Sequence, residues 1–347
     1  MPTGGRRVCA PIPGGSPLEM VGDRVDLKLG FSCNNRCRFC VQGDKRHRVA
    51  DLETGELLDR LKEAREHADS IVFTGGEVTL RKDLVELVAF AKSLGFRIIQ
   101  IQTNGRMFSY RKTCEALVEA GANEFSPALH GHTAELHDYH TRAKGSFEQT
   151  VKGIRNLKAL SQPVITNSVV TRSNYRHLPE LAELLIRLGV DQYQFAFVHP
   201  VGTAGDSLSS VVPRLALAAR YLAEGLDLGT RAGVRCMTEA VPPCILPGRE
   251  HLVAEWIMPE TRVYDAQVIV ESYRDYRLTE GKLKGPRCPE CHWFERCEGP
   301  WREYPERFGW EELVPVRDPA RPQTEHLPGY SLPRARPSGK HRQRRGR

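Results

Sequence analysis

The stretch Cys33-Asn34-Asn35-Arg36-Cys37-Arg38-Phe39-Cys40 sets three thiols into eight residues, directly after an alternating apolar run from Arg24 to Gly30. That run reads as the first strand of a series. Further strand patterns lie at Ser70 to Thr74, Arg97 to Thr103, Asn123 to Leu129, Val164 to Val170 and Asp191 to Val198. Helical patterns separate them, at Thr54 to Asp69, Lys82 to Leu94, Ser109 to Ala120, Ser146 to Leu160 and His177 to Leu188. Gly95, Gly121 and Gly189 follow such patterns where a left-handed helix stop is needed. Six β-then-α units favour parallel pairing with right-handed crossovers, hence an α/β fold: a partial (β/α)6 barrel with its helices outside. Chemistry in such folds sits at the C-terminal ends of the strands. The cysteine triplet follows the first strand, Gly75-Gly76-Glu77 the second, Thr103-Asn104-Gly105 the third and His130-Gly131-His132 the fourth, so all four are expected at one mouth.

Ten cysteines in 347 residues, without a charged start and continuous apolar block in the first thirty, argue against a disulfide framework and towards metal or redox chemistry. Three thiolates within eight residues can grip three irons of a [4Fe–4S] cluster, leaving the fourth iron open to a small ligand. Zinc is the competing occupant, although structural zinc usually wants paired Cys-x-x-Cys or Cys/His units.

The triplet, with Phe39 before Cys40, together with Gly75-Gly76-Glu77 after the second strand, resembles the paired motifs of the radical S-adenosylmethionine (SAM) superfamily. The likeness runs from about Arg24 to Gly205. It departs from the family at Val78, where Pro is frequent. The resemblance implies that SAM chelates the open iron through its amine and carboxylate. Reductive cleavage would then give a 5′-deoxyadenosyl radical that abstracts hydrogen from a substrate. It implies SAM contacts at Phe39, Gly75, Gly76, Glu77, Asn104, Ser126, Asn167 and Arg172, with the loop His199-Pro200-Val201-Gly202 near the adenine. Gly75 and Gly76 are expected to let backbone approach the methionine end, and Glu77 to accept from its ammonium. A flavodoxin- or ferredoxin-type electron donor is implied as a partner.

Towards the C-terminus, Cys288-Pro289-Glu290-Cys291 and Cys297, with Cys244 upstream, form a second metal-type spacing. It resembles the SPASM or twitch auxiliary-cluster extensions of peptide-modifying relatives. Trp301 stands where the fuller pattern has another Cys, so one auxiliary [4Fe–4S] cluster is expected, with structural zinc as the alternative. Cys236 is left over, as an alternative ligand or a thiol in the mouth able to trade a hydrogen atom. Cys9 and Cys114 read as ordinary thiols. His130, His132, His137 and His140 read as a solvated helix plus one mouth-facing residue, His130, in reach of substrate. The aromatics of Glu298 to Tyr304 read as core packing.

A composition 40% hydrophobic and 27% charged, with mean hydropathy −0.43, excludes chain-wide disorder and collagen-like repeats. No window approaches the ~18 apolar residues of a membrane span, and a cytoplasmic location is expected. The net charge of +7 is confined to the tail: Arg321 to Arg347 holds eight basic residues against Glu325, leaving 42 basic and 42 acidic residues elsewhere. That tail reads as solvated, with a tether to RNA or an acidic partner as the alternative. The expected division is a flexible segment 1–20, a core barrel 21–230, a Cys-rich auxiliary domain 231–316 and a disordered basic tail 317–347. The resulting expectation is a radical SAM enzyme acting on a peptide or protein side chain by oxidation, crosslinking or epimerisation. Cofactor or small-molecule biosynthesis and RNA modification are the rivals, and a non-catalytic iron–sulfur or zinc protein is the alternative of another class.

Overall fold

A computed structural model describes residues 23–317. The segment 1–20, Cys9 and the tail from 318 onward lie outside the described residues. Nine strands form two sheets: β1 (Arg24–Lys28), β2 (Ser70–Thr74), β3 (Ile98–Thr103), β4 (Glu124–Pro127), β5 (Ile165–Val170), β6 (Gln192–Phe197), β7 (Arg235–Glu239), β8 (Thr261–Tyr264) and β9 (Ile269–Val270). The first sheet has the order β4-β3-β2-β1-β8-β9 and the second β5-β6-β7. Parallel bridges Phe125 to Val164 and Ala128 to Asn167 join β4 to β5. All pairings are parallel except β8 with β9, so β8 through β7 form one curved wall, the expected open barrel.

Alternation on the strands decides which side chains meet what. In β1, Val25 and Leu27 are fully buried against the helical layer, while Arg24, Asp26 and Lys28 line a central cavity of about 910 Å3. The outer layer is apolar: Leu57, Leu61 and Ala64 of the helix Thr54–His67, and Leu178, Leu181, Ala182 and Leu185 of Leu178–Arg187, are buried against the sheet. Each such leucine contributes about 1.5–3 kcal/mol. The expected helix stops hold, with Gly95, Gly121 and Gly189 at φ +87°, +117° and +72°. A closed barrel is normally filled by branched apolar side chains. Here Gln100, Gln102, Glu124, Gln194, Arg235 and Glu239 point inward instead, and the centre stays open.

The expected boundary at 230/231 is not a boundary of strand pairing. β7 pairs with β6, and β8 returns to lie beside β1, so residues after 230 complete the barrel before the Cys-rich segment begins. Buried charges hold that segment together and to the connection between β7 and β8. Lys282 Nζ stands 2.6 Å from Glu255 and 2.9 Å from Glu298, and Arg277 meets Glu298 at 2.7 and 2.9 Å. Among the described residues no helix is long and apolar enough to cross a membrane.

Candidate active site

The cysteine loop leaves β1 and is held from several directions. Gly76 N donates to Gly30 O at 2.8 Å and Glu77 N to Ser32 O at 2.7 Å, fastening the Gly-Gly-Glu turn along the loop's start. Asp51 Oδ1 accepts from Phe31 N at 2.7 Å and Ser32 N at 3.1 Å. Arg36 N and Arg38 N donate to Thr141 O and His140 O, and Thr203 N donates to Cys40 O at 3.0 Å. The glycines serve this packing. A Cβ on Gly75, which has φ +128°, would stand 2.3 Å from Gly30 O, and one on Gly76 would stand 2.3 Å from Ser32 O. The close approach they permit within the chain is to its own cysteine loop. Gly75 also lines the cavity; Gly76 does not.

Glu77 requires a correction. Its carboxylate is buried, and Oε1 accepts from Thr79 N (3.1 Å), Thr79 Oγ1 (2.5 Å) and Thr103 Oγ1 (2.6 Å), while Oε2 accepts from Asn104 N (2.6 Å). Burial pushes its pKa up, opposed by these donors. It does not line the cavity, and it staples the end of β3 to the Gly-Gly-Glu turn. Asn104 continues the brace, donating to Asn34 Oδ1 at 2.7 Å. Arg106, which the sequence did not single out, donates to Asn34 O at 2.6 Å and Asn35 Oδ1 at 3.0 Å.

Of the remaining expected contacts, Phe39, Ser126, Asn167 and His199 line the cavity together with Cys37 and Cys40. The Asn167 Oδ1 atom is buried with no hydrogen-bond partner, an acceptor aimed at whatever fills the space. Arg172 is exposed, donates to Ser209 O at 2.6 Å and lies off the cavity. His130 is not in the mouth: it sits behind Phe39, ring centroids 4.7 Å apart, with Nδ1 accepting from Val169 N. His137 and His140 are buried rather than solvated, and burial lowers the pKa of all three rings, that of His137 to about 3. Cys236 points away from the mouth, donating to Leu226 O at 3.2 Å on the helix behind β7; its neighbours Arg235 and Met237 take the inward positions.

The donor set at the mouth fits an iron cluster. Burial raises the Cys33 and Cys37 thiols, and for Cys37 the neighbouring thiols add to the rise, so thiolates there need nearby cationic charge. The cysteines of the second group lie within electrostatic reach of one another. Cys244 is pushed up to about 12 by burial and then by Cys297, Cys291 and Cys288, and Cys297 likewise reaches about 12. Gly285 N donates to Cys288 Sγ at 3.1 Å and Gly299 N to Cys297 Sγ at 3.3 Å. Among the described residues no three His, Cys, Asp or Glu side chains converge on a single-ion position.

Residues 27–185 match the family model described as the Radical SAM superfamily. Among curated relatives, the AdoMet-dependent heme synthase of Oleidesulfovibrio alaskensis is 31% identical over 185 residues, 52% of this chain and 47% of that protein. A Saccharolobus islandicus protein named "Probable GTP 3′,8-cyclase" is 33% identical over 193 residues, 54% of this chain and 59% of that one. The chain thus spans about half the length of the curated relatives it matches. Streptococcus suis SuiB bound to S-adenosylmethionine superposes with a TM-score of 0.62 at 16% identity, covering 85% of this chain and 76% of SuiB. SuiB bound to its precursor peptide SuiA gives 0.60, also at 16% identity, over 80% of this chain and 71% of that one. At that identity the likeness is one of fold.

Proposed function

We propose that the chain is a radical SAM enzyme that cleaves SAM reductively and abstracts hydrogen from a substrate held in the barrel cavity. The observation that carries this reading is the three-thiol loop, hydrogen-bonded along the Gly-Gly-Glu turn at the mouth of the 910 Å3 cavity. Cys33, Cys37 and Cys40 would hold a [4Fe–4S] cluster, which with SAM supplies one-electron cleavage to a 5′-deoxyadenosyl radical. The chain's own residues position and shield. Phe39 covers the wall beside Cys40. Gly75, Ser126 and Asn167 offer polar contacts, and His199, stacked on Trp301 with ring centroids 3.8 Å apart, adds an aromatic surface to the same lining.

A peptide or protein side chain is the favoured substrate class, supported by the shared fold of SuiB, whose structure holds a precursor peptide. Cys244, Cys288, Cys291 and Cys297 would hold a second [4Fe–4S] cluster, and a flavodoxin- or ferredoxin-type protein would supply electrons. A small-molecule substrate is the second reading, favoured by the names of the curated relatives. Anaerobic reconstitution with iron and sulfide, followed by dithionite and SAM, tests the activity: 5′-deoxyadenosine is expected. Its absence from cluster-loaded protein would falsify the cleavage. About eight irons per chain are expected, falling to about four in Cys288→Ala/Cys291→Ala; an unchanged count would remove the second cluster.

A further inference from the structure

The charged groups of the barrel interior are, with one exception among the inward-facing strand residues, partnered. Arg24 pairs with Asp26 at 2.9 Å and Lys28 with Asp265 at 2.6 Å. Gln100 donates to Glu124, and Gln194 donates to Glu239 at 2.5 Å. Arg235, the first residue of β7, lines the same cavity, yet among the described residues no carboxylate or carbonyl accepts a hydrogen bond from its guanidinium. Burial pulls its pKa down, and Glu124 opposes this from beyond hydrogen-bonding distance. A guanidinium does not shed its proton in a protein, so five donors stay charged and only partly hydrated. Arg97 also lines the cavity without a side-chain partner, but it is exposed and water serves it.

Position adds to chemistry. Arg235 starts its strand and Glu239 ends it, so Arg235 lies about 13 Å below the mouth. It forms the floor of the chamber, at the end opposite Cys37 and Cys40. Glu124, which interacts electrostatically with Arg235 at that floor, would repel a polyanion, which selects a ligand with one anionic group.

We propose that Arg235 anchors a single anionic group of the substrate, a carboxylate or a phosphate monoester, at the floor of the barrel. The inference rests on the chamber being the substrate site, and it is tested by binding alone, so its failure and a failure of SAM cleavage are separate results. Full-length reconstituted protein with SAM is titrated calorimetrically with glutarate, inorganic phosphate and neutral glutaramide at constant ionic strength. Wild type is expected to bind at least one of the two anions and to discriminate against glutaramide; which anion binds tells carboxylate from phosphate. Arg235→Gln should bind at least about ten-fold more weakly, Arg235→Lys should fall between, and Arg97→Gln should match wild type. Phenylglyoxal labelling of wild-type protein should modify Arg235 and be blocked by the bound anion, which keeps the test valid if Arg235→Gln misfolds. Equal affinity in wild type and Arg235→Gln, no binding of either anion, or labelling indifferent to the anion each overturns the proposal.

Discussion

Gly76→Ala places a methyl group where the chain has no room. The new Cβ would stand 2.3 Å from Ser32 O and 2.6 Å from Phe31 C and O, all backbone atoms, so no side chain can swing aside. Ordinary contact begins near 3.4 Å, and the cysteine loop must retreat by about 1 Å. Overpacking of this kind costs about 1–3 kcal/mol. The retreat also strains the bonds from Gly76 N to Gly30 O and from Glu77 N to Ser32 O, worth about 1 kcal/mol each. The expected loss is about 3–5 kcal/mol, a large share of the 5–15 kcal/mol typical of a domain. Urea unfolding of the metal-free protein measures it, and iron content after reconstitution reports whether Cys33, Cys37 and Cys40 still present one site. Gly55→Ala is the control: nothing lies within 4 Å of its Cβ, and it should be neutral or stabilising by up to about 1 kcal/mol. A Gly76→Ala protein with wild-type midpoint and full iron would refute the close-approach argument.

Three further outcomes follow from the same geometry. His137, held at about 3 by burial against an unfolded value near 6.5, contributes stability that is complete above pH 6.5 and is lost as the pH falls towards 3. Between pH 7 and pH 5 its share is about 2 kcal/mol, so His137→Gln should flatten the stability profile in that window; parallel profiles would contradict it. Lys282→Met strips a buried cation from Glu255 and Glu298 and should cost about 3–5 kcal/mol, partly restored by adding Glu255→Gln; a neutral single variant would show that the network carries little. Glu77→Gln must turn an amide N–H towards either Asn104 N or the three donors of Thr79 and Thr103, and should cost about 1.5–3 kcal/mol and lower iron retention; unaltered melting would place the brace elsewhere.

The parts of the fold that the sequence revealed are those with clear alternation. β1 to β6 lie within two residues of their expected limits, helped by runs such as RVDLK and IIQIQT that alternate strictly between the outer core and the interior. The polar interior was legible in the same runs, since Gln100 and Gln102, or Gln192 and Gln194, share a face. β7 and β8 were not seen: RCMTE and TRVY are short, weakly patterned and set among prolines, and only pairing with β6 and β1 makes them strands. That omission displaced the domain boundary. It also misplaced Cys236, whose outward direction follows once Arg235 and Met237 are known to face inward. His137 and His140 are buried by tertiary packing, with Thr171 Oγ1 at 2.7 Å from His140 Nε2 across 31 residues, a contact no local pattern announces. The two cysteine groups were legible because ligand spacing is local; the way Arg106 and Asn104 brace the first is not.

The most direct test of the account is spin resonance of the reduced Cys288→Ala/Cys291→Ala protein, in which only the Cys33-Cys37-Cys40 site should carry a cluster. Addition of SAM is predicted to shift the g-values of that signal, because the ligand occupies the iron that no cysteine holds. A signal that SAM leaves untouched, or no iron at that site at all, would contradict the central claim.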